Sequence, residues 1–247
     1  MMHSTTSIVL AGVGGQGSVL ATRIIARAAD HAGLDVVTSE VHGMSQRGGT
    51  VTTAVRFGDH VGAPVVPAGE ADFLVAFERL EAARHLPLLR HEGVALVSDQ
   101  RIAPSIEALK IADYPDDLEA RAAAAGVIVL LYPALRLARE IGSDRLASAV
   151  LLGALSDFLL LPHEAWREAI RRTVPWLAAD ALWAVKVRRA YGTPKYQQIK
   201  GGNVNGLYGA DGLVDLEERH AHALAVGFQL EEEVADVLPA PAASRVD

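Results

Sequence analysis

The sequence predicts an α/β fold: a three-layer α/β/α arrangement with a mostly parallel sheet, a helical C-terminal part and an extended tail. Three observations lead there. The apolar runs SIVLA, FLVAF, VALVS and GVIVLLYP lack polar alternation, which marks strands covered on both faces. Segments with helical spacing separate several of them, and strands alternating with helices favour parallel pairing. A glycine cluster, GVGGQG, follows the first run directly, where a strand would turn into a helix.

Residues 7–11 form the first strand. Val19, Leu20, Ile24, Ile25 and Ala28 then recur at helical spacing to about His31, and Gly33 stops that helix. LDVVTSEV reads as the second strand. The third spans 50–57 and is rich in β-branched residues. Residues 73–77 and 94–98 add core strands, with a helical pattern over 80–90 between them. Pro115 breaks the chain, 116–125 is helical, and GVIVLLYP is a further buried strand. Beyond Pro133 the pattern is helical over 135–141, 145–158, 163–173 and 176–191. Pro162 and Pro175 mark starts, and Ser143 or Asp144 is an N-cap. Trp166, Ile170 and Val174 share one face of their helix.

Residues 1–192 are expected to form one domain and 193–247 a C-terminal extension. The extension opens glycine-rich and polar, continues as an amphipathic piece over about 216–238, and closes with PAPAASRVD, expected to be disordered. It is expected to dock on a partner subunit or on a second copy.

Composition narrows the function. The 247 residues are half hydrophobic, enough for a full core. A net charge of −7 argues against nucleic acid as a main partner. There is no cysteine, so disulfides, thiol catalysis and a cysteine-ligated iron–sulfur cluster on this chain are excluded. No apolar run reaches the ~18 residues of a membrane span, and no signal peptide is read. The protein is expected to be cytoplasmic, with no metal site.

Gly12, Gly14 and Gly17 satisfy the G-x-G-x-x-G spacing, Gly15 adds a fourth glycine, and Gln16 places an amide at the helix start. Glycines let backbone approach a ligand closely, and a helix N-terminus offers free N–H groups. Two readings stand: an anion or nucleotide site, or tight strand-to-helix packing. A nicotinamide enzyme would also use Glu40, which follows the second strand where an acid can hold a ribose hydroxyl. Glu40 reads equally as a structural or interface carboxylate. The next loop, HGMSQRGGT, is over-equipped for a turn. His42, Ser45, Gln46, Arg47, Gly48 and Gly49 are its candidate site residues. Arg47 can hold a carboxylate or phosphate with two parallel hydrogen bonds. His42 can donate or shift protons near neutral pH, and Gln46 can orient either. The plain alternative is a hydrogen-bonded loop that only fixes the crossing between strands. His85, His91 and His163 lie in polar patterns and are expected to be solvated.

Two stretches, GVGGQGSVLATRIIARAA and SEVHGMSQRGGTVTTAVRFG, resemble in order and separation the gamma-type domain of the 2-oxoacid:ferredoxin oxidoreductases, nearest the small (beta) subunit of the indolepyruvate type. GEADFLVAFERLEAAR, SDQRIAPS and LLGALS extend the likeness over about residues 7–190. The resemblance implies oxidative decarboxylation of a 2-oxoacid to an acyl-CoA. It also implies thiamine diphosphate and 4Fe–4S clusters on a large (alpha) partner subunit, coenzyme A, and ferredoxin as electron acceptor. Pyruvate or 2-oxoglutarate is the alternative substrate. On that reading the chain is inactive alone, binds no cofactor tightly, and its 42–50 loop completes the rim of the partner's site. A thiamine motif is missing; GADG at 209–212 is a superficial echo. Ser148 stands where related chains often carry asparagine. The competing classes are a self-sufficient NAD(P)-dependent reductase and a non-catalytic assembly module.

Overall fold

In a computed structural model of the chain, the described residues are 5–43, 49–102, 114, 116–140 and 143–174. They form a six-stranded sheet: β1 (Thr6–Val13), β2 (Asp35–His42), β3 (Thr50–Gly58), β4 (Ala71–Ala76), β5 (Leu89–Ser98) and β6 (Ile128–Tyr132), in the order β2-β3-β1-β4-β5-β6. The helices are α1 (Ser18–His31), α2 (Arg79–His85), α3 (Leu118–Ala125), α4 (Ala134–Glu140), α5 (Ala147–Ser156) and α6 (His163–Thr173).

Alternating residues of each central strand feed two cores, as strand geometry requires. Ile8 and Leu10 of β1 face a core shared with Ile25 of α1, Leu151 of α5 and Trp166 of α6. Val9 and Ala11 face the opposite core, closed by Ala82 of α2 and by Leu118 and Ala122 of α3. This is the expected three-layer arrangement. Each such large apolar side chain contributes about 1.5–3 kcal/mol when fully buried.

β1, β4, β5 and β6 pair in parallel, while β3 runs antiparallel to both β1 and β2. The connection explains the exception. Only residues 43–49 separate β2 from β3, far short of the dozen or more that a parallel crossover needs. The strand order leaves β2 at the edge of the sheet, and its Val41 is 64% exposed.

Local breaks trim the expected helices. α2 ends at His85, because Pro87 follows in a 3-10 turn (Leu86–Leu88). β5 then begins at Leu89, five residues before VALVS. The segment 145–158 splits into a 3-10 turn (Asp144–Leu146), capped by the Ser143 hydroxyl, and α5. α6 buries Trp166 and Ile170 as its periodicity predicts. The expected helix at 176–191 and the extension 193–247 lie outside the described residues.

Candidate functional site

The chain leaves β1 through α1 on one face of the sheet and leaves β4 through α2 on the other. β1 and β4 are neighbours. Such a reversal opens a crevice beyond the C-terminal strand ends, the usual ligand position in open α/β sheets. The loop containing Gly12, Gly14, Gly15, Gln16 and Gly17 lies there, beside Phe77 after β4 and Gln100 after β5.

This loop is tightly specified. Gly15 and Gly17 have φ of 99° and 87°, a left-handed conformation that a Cβ disfavours. A Cβ on Gly12 would lie 3.0 Å from Gln16 Oε1 and 3.1 Å from the Phe77 ring. Gln16 folds back over its own loop. Its Oε1 accepts from the Val13 N–H at 2.7 Å, and its Nε2 donates to the Phe77 carbonyl at 2.9 Å and to Gln100 Oε1 at 3.1 Å. The amide thus fastens the ends of β1, β4 and β5 together. Ser148 of α5 backs the same turn: a Cβ on Gly17 would lie 3.2 Å from its Oγ. No side chain caps α1, which leaves its first N–H groups available to an anion.

The second loop meets the first. The Gly14 N–H donates to the Gly49 carbonyl at 2.9 Å, and Gly43 N–H donates to Thr50 at 2.8 Å to close the loop's base. Gly49 is thereby joined to the glycine cluster. His42 sits elsewhere: it opposes Val51, which opposes Gly12, so two strand spacings, roughly 10 Å, separate it from β1. Its Nε2 lies 3.0 Å from Glu40 Oε1, and both groups are largely exposed. Ser45, Gln46, Arg47 and Gly48 lie outside the described residues. The strand order weighs against the nicotinamide reading. That reading needs the acid on the strand beside β1, and here β3 occupies the place.

Sequence reasoning missed the buried acids on α2. Glu78 is 1% exposed and caps the helix: Oε2 accepts from the Glu81 N–H at 2.9 Å. Its Oε1 accepts from the Ile102 N–H at 3.1 Å and from the Tyr114 hydroxyl. Burial raises the Tyr114 phenol above its ordinary value, and the Glu78 carboxylate reinforces the shift. Arg101 stacks 5.4 Å from the Tyr114 ring centroid, while Arg79 holds Glu119 at 2.8 and 3.0 Å. The Glu-x-x-Glu spacing in FERLE, close to a capping box, was the available signal for the cap.

Glu81 reaches the second loop. Its Oε1 accepts from Thr50 Oγ1 at 3.1 Å and from Arg84 at 2.5 Å, and its buried Oε2 has no hydrogen-bond partner. His85 is not solvated as expected, because it packs against β3. Its Nδ1 lies 2.8 Å from the Glu81 carbonyl and its Nε2 2.8 Å from Thr52 Oγ1. A carbonyl only accepts, so Nδ1 is the donor in the first contact, while Nε2 and the Thr52 hydroxyl share the second. His91 and His163 are exposed. His91 stands on β5, its ring against Gly126. Burial raises the Asp99 carboxyl, and the Arg136 and Arg79 charges partly offset the shift.

Among the described residues, no group of three or more His, Asp or Glu is placed to hold a metal ion. No helix there is long and apolar enough to cross a membrane.

Comparison with known proteins gives a consistent picture. The indolepyruvate oxidoreductase subunit IorB of Archaeoglobus fulgidus is 39% identical over 172 residues, which cover 68% of this chain and 85% of that protein. Its counterpart from Pyrococcus horikoshii is 38% identical over 179 residues, 70% and 89% of the two chains. The crystal structure of the keto/oxoacid ferredoxin oxidoreductase gamma subunit from Geobacter sulfurreducens shares the fold, with a TM-score of 0.55 and 24% identity. It covers 73% of this chain and 94% of that one. Residues 7–186 match the pyruvate ferredoxin/flavodoxin oxidoreductase family along nearly the whole described body, and the chain belongs to that family.

Proposed function

We propose that this chain is the small subunit of a ferredoxin-dependent oxidoreductase for an aryl-type 2-oxoacid, indolepyruvate being the best-supported substrate. The observation that carries the reading is the Gly14–Gly49 hydrogen bond. It brings the two most family-like loops together at the mouth of the sheet, in a chain 39% identical to an indolepyruvate oxidoreductase subunit. The reaction balances as oxoacid, coenzyme A and two oxidised ferredoxins giving acyl-CoA, carbon dioxide, two reduced ferredoxins and a proton. The electrons leave one at a time, which calls for iron–sulfur centres. This chain has no cysteine to ligate them, so the clusters and thiamine diphosphate are assigned to the large subunit.

What this chain supplies is positioning. The α1 N-terminus and the glycine loop present N–H groups to an anionic end, either the oxoacid carboxylate or a coenzyme A phosphate. Arg47 is the proposed bidentate partner of that anion, with Ser45, Gln46 and Gly48 around it and His42 at the rim. A cytoplasmic location and docking of residues 193–247 on the large subunit belong to the same proposal. The test is co-expression with the large subunit and steady-state kinetics. Arg47→Ala should raise the KM for oxoacid or coenzyme A about tenfold or more, the loss of one charge-assisted pair. Unchanged kinetics in a correctly assembled complex would remove Arg47 from the site. Comparing indolepyruvate with pyruvate and 2-oxoglutarate tests the substrate class.

A further inference from the structure

β2 is unusual for an edge strand. Its eight residues pair with β3 without a break, from Asp35 opposite Gly58 to His42 opposite Val51. It carries no proline, lysine or bulge, the usual devices that keep an edge from pairing. Its outer side is also patterned. Val36, Thr38, Glu40 and His42 face α1, because Val36 packs on the α1 core and Thr38 and Glu40 line a groove against that helix. Val37, Ser39 and Val41 alternate to the other face.

A two-fold axis normal to the sheet pairs such a strand with itself, antiparallel, with opposed residues on the same face. Two registers are centred on this edge. Centred on Thr38, Val41 opposes Asp35 and Val36 opposes Glu40, setting apolar groups against acids. Centred on Ser39, Val37 opposes Val41 twice, Thr38 opposes Glu40 twice, Val36 opposes His42 twice, Ser39 meets itself, and no valine faces an acid. The second register covers the exposed Val41 with a valine. It also delivers Glu40 of one copy beside Thr38 of the other, into the groove of about 350 Å³ lined by Thr22, Arg23 and Ala26. Arg23 is exposed and has no acidic partner among the described residues. The incoming Glu40 supplies one.

We propose that the β2 edge is a contact between two copies of this chain, paired antiparallel about Ser39, which joins two six-stranded sheets into one. The occupant is a second copy, and not an unrelated strand, because the same strand inverted answers both the exposed Val41, with Val37, and Glu40, with Thr38 and Arg23. The inference is independent of the substrate proposed above, and its test needs no activity.

The absence of native cysteine makes the test clean. Opposed residues in an antiparallel pair have Cα atoms about 4.5–5.5 Å apart, within disulfide reach. Ser39→Cys should give a covalent dimer on mild oxidation, both for the full chain and for its complex with the large subunit. Thr38→Cys should not, since its opposite residue is Glu40. Sedimentation should show the unmodified chain as a dimer at micromolar concentration. Val41→Lys should shift it to monomer with an unchanged circular dichroism spectrum. A covalent dimer from Thr38→Cys but not from Ser39→Cys would overturn the register. A monomeric chain, no dimer from either cysteine, a Val41→Lys dimer as stable as the original, or a Ser39→Cys link to the large subunit instead would overturn the proposal.

Discussion

Gln16 offers a sharp test of how the glycine loop is held. Its side chain makes three hydrogen bonds, one accepted from Val13 N–H and two donated to Phe77 O and Gln100 Oε1. A net ~1 kcal/mol apiece would total about 3 kcal/mol, but the site is half-buried and water can replace part, so Gln16→Ala should cost about 2 kcal/mol. For a domain of this size that is roughly 4–8 °C in Tm. Gln16→Glu is more telling. It has the same shape and keeps the acceptor for Val13, yet it turns a carboxylate oxygen towards two other oxygens. At neutral pH it should cost more than alanine does. Those oxygens disfavour the charged form, so the new carboxyl has a folded pKa above its unfolded value of about 4.3. The destabilisation is then complete above the folded pKa and shrinks as pH falls from there towards the unfolded one. Urea unfolding at neutral and mildly acidic pH would measure it. A Gln16→Glu protein as stable as the parent at neutral pH, or a deficit that grows on acidification, would refute the clasp.

Other outcomes follow from the same geometry. Gly17→Ala should lose about 1–3 kcal/mol from its left-handed φ, plus a clash with Ser148. Gly15→Ala should lose only the backbone part, because nothing stands near its Cβ position; equal losses by chemical denaturation would contradict the Ser148 contact. Tyr114 has a phenol pKa raised above 10.0, so the stability it contributes is fully present below that pH and disappears as pH rises beyond it. The gap between the parent and Tyr114→Phe, followed by unfolding at rising alkaline pH, should therefore narrow. Ile25, with no exposed surface, should cost about 2–5 kcal/mol as Ile25→Ala, read from urea midpoints with an unchanged m-value.

The central strands were legible because burial on both faces leaves an uninterrupted apolar run, as in Ile8–Leu10 and Val94–Val97. The antiparallel β3 was not foreseen, although a link confined to residues 43–49 is too short to hold a crossover. Nor was the exposed edge: LDVVTSEV has the composition of a half-buried strand, and its place in the sheet depends on which strand inserts beside β1. The buried acids were hidden for a related reason. Glu78 and Glu81 sit at a helix start, where acids ordinarily face water. Their partners Tyr114 and Thr50 lie 36 and 31 residues away in sequence. His85 likewise looked solvated, because Thr52, its partner, belongs to a strand 33 residues earlier. Local periodicity reports how much surface an element hides. It says nothing about which polar group waits on the other side.

The strand inserted between β1 and β2 also limits how discriminating this protein can be. With β3 in that place, a molecule entering beside Gly14 meets amide hydrogens and a helix pole but no carboxylate on the neighbouring strand to interrogate a sugar. On the proposed function, such a mouth grips charge and ignores identity. Choosing among oxoacids is then a task for whatever surface closes over it, so a swap of small subunits between related enzymes should alter affinity more than preference.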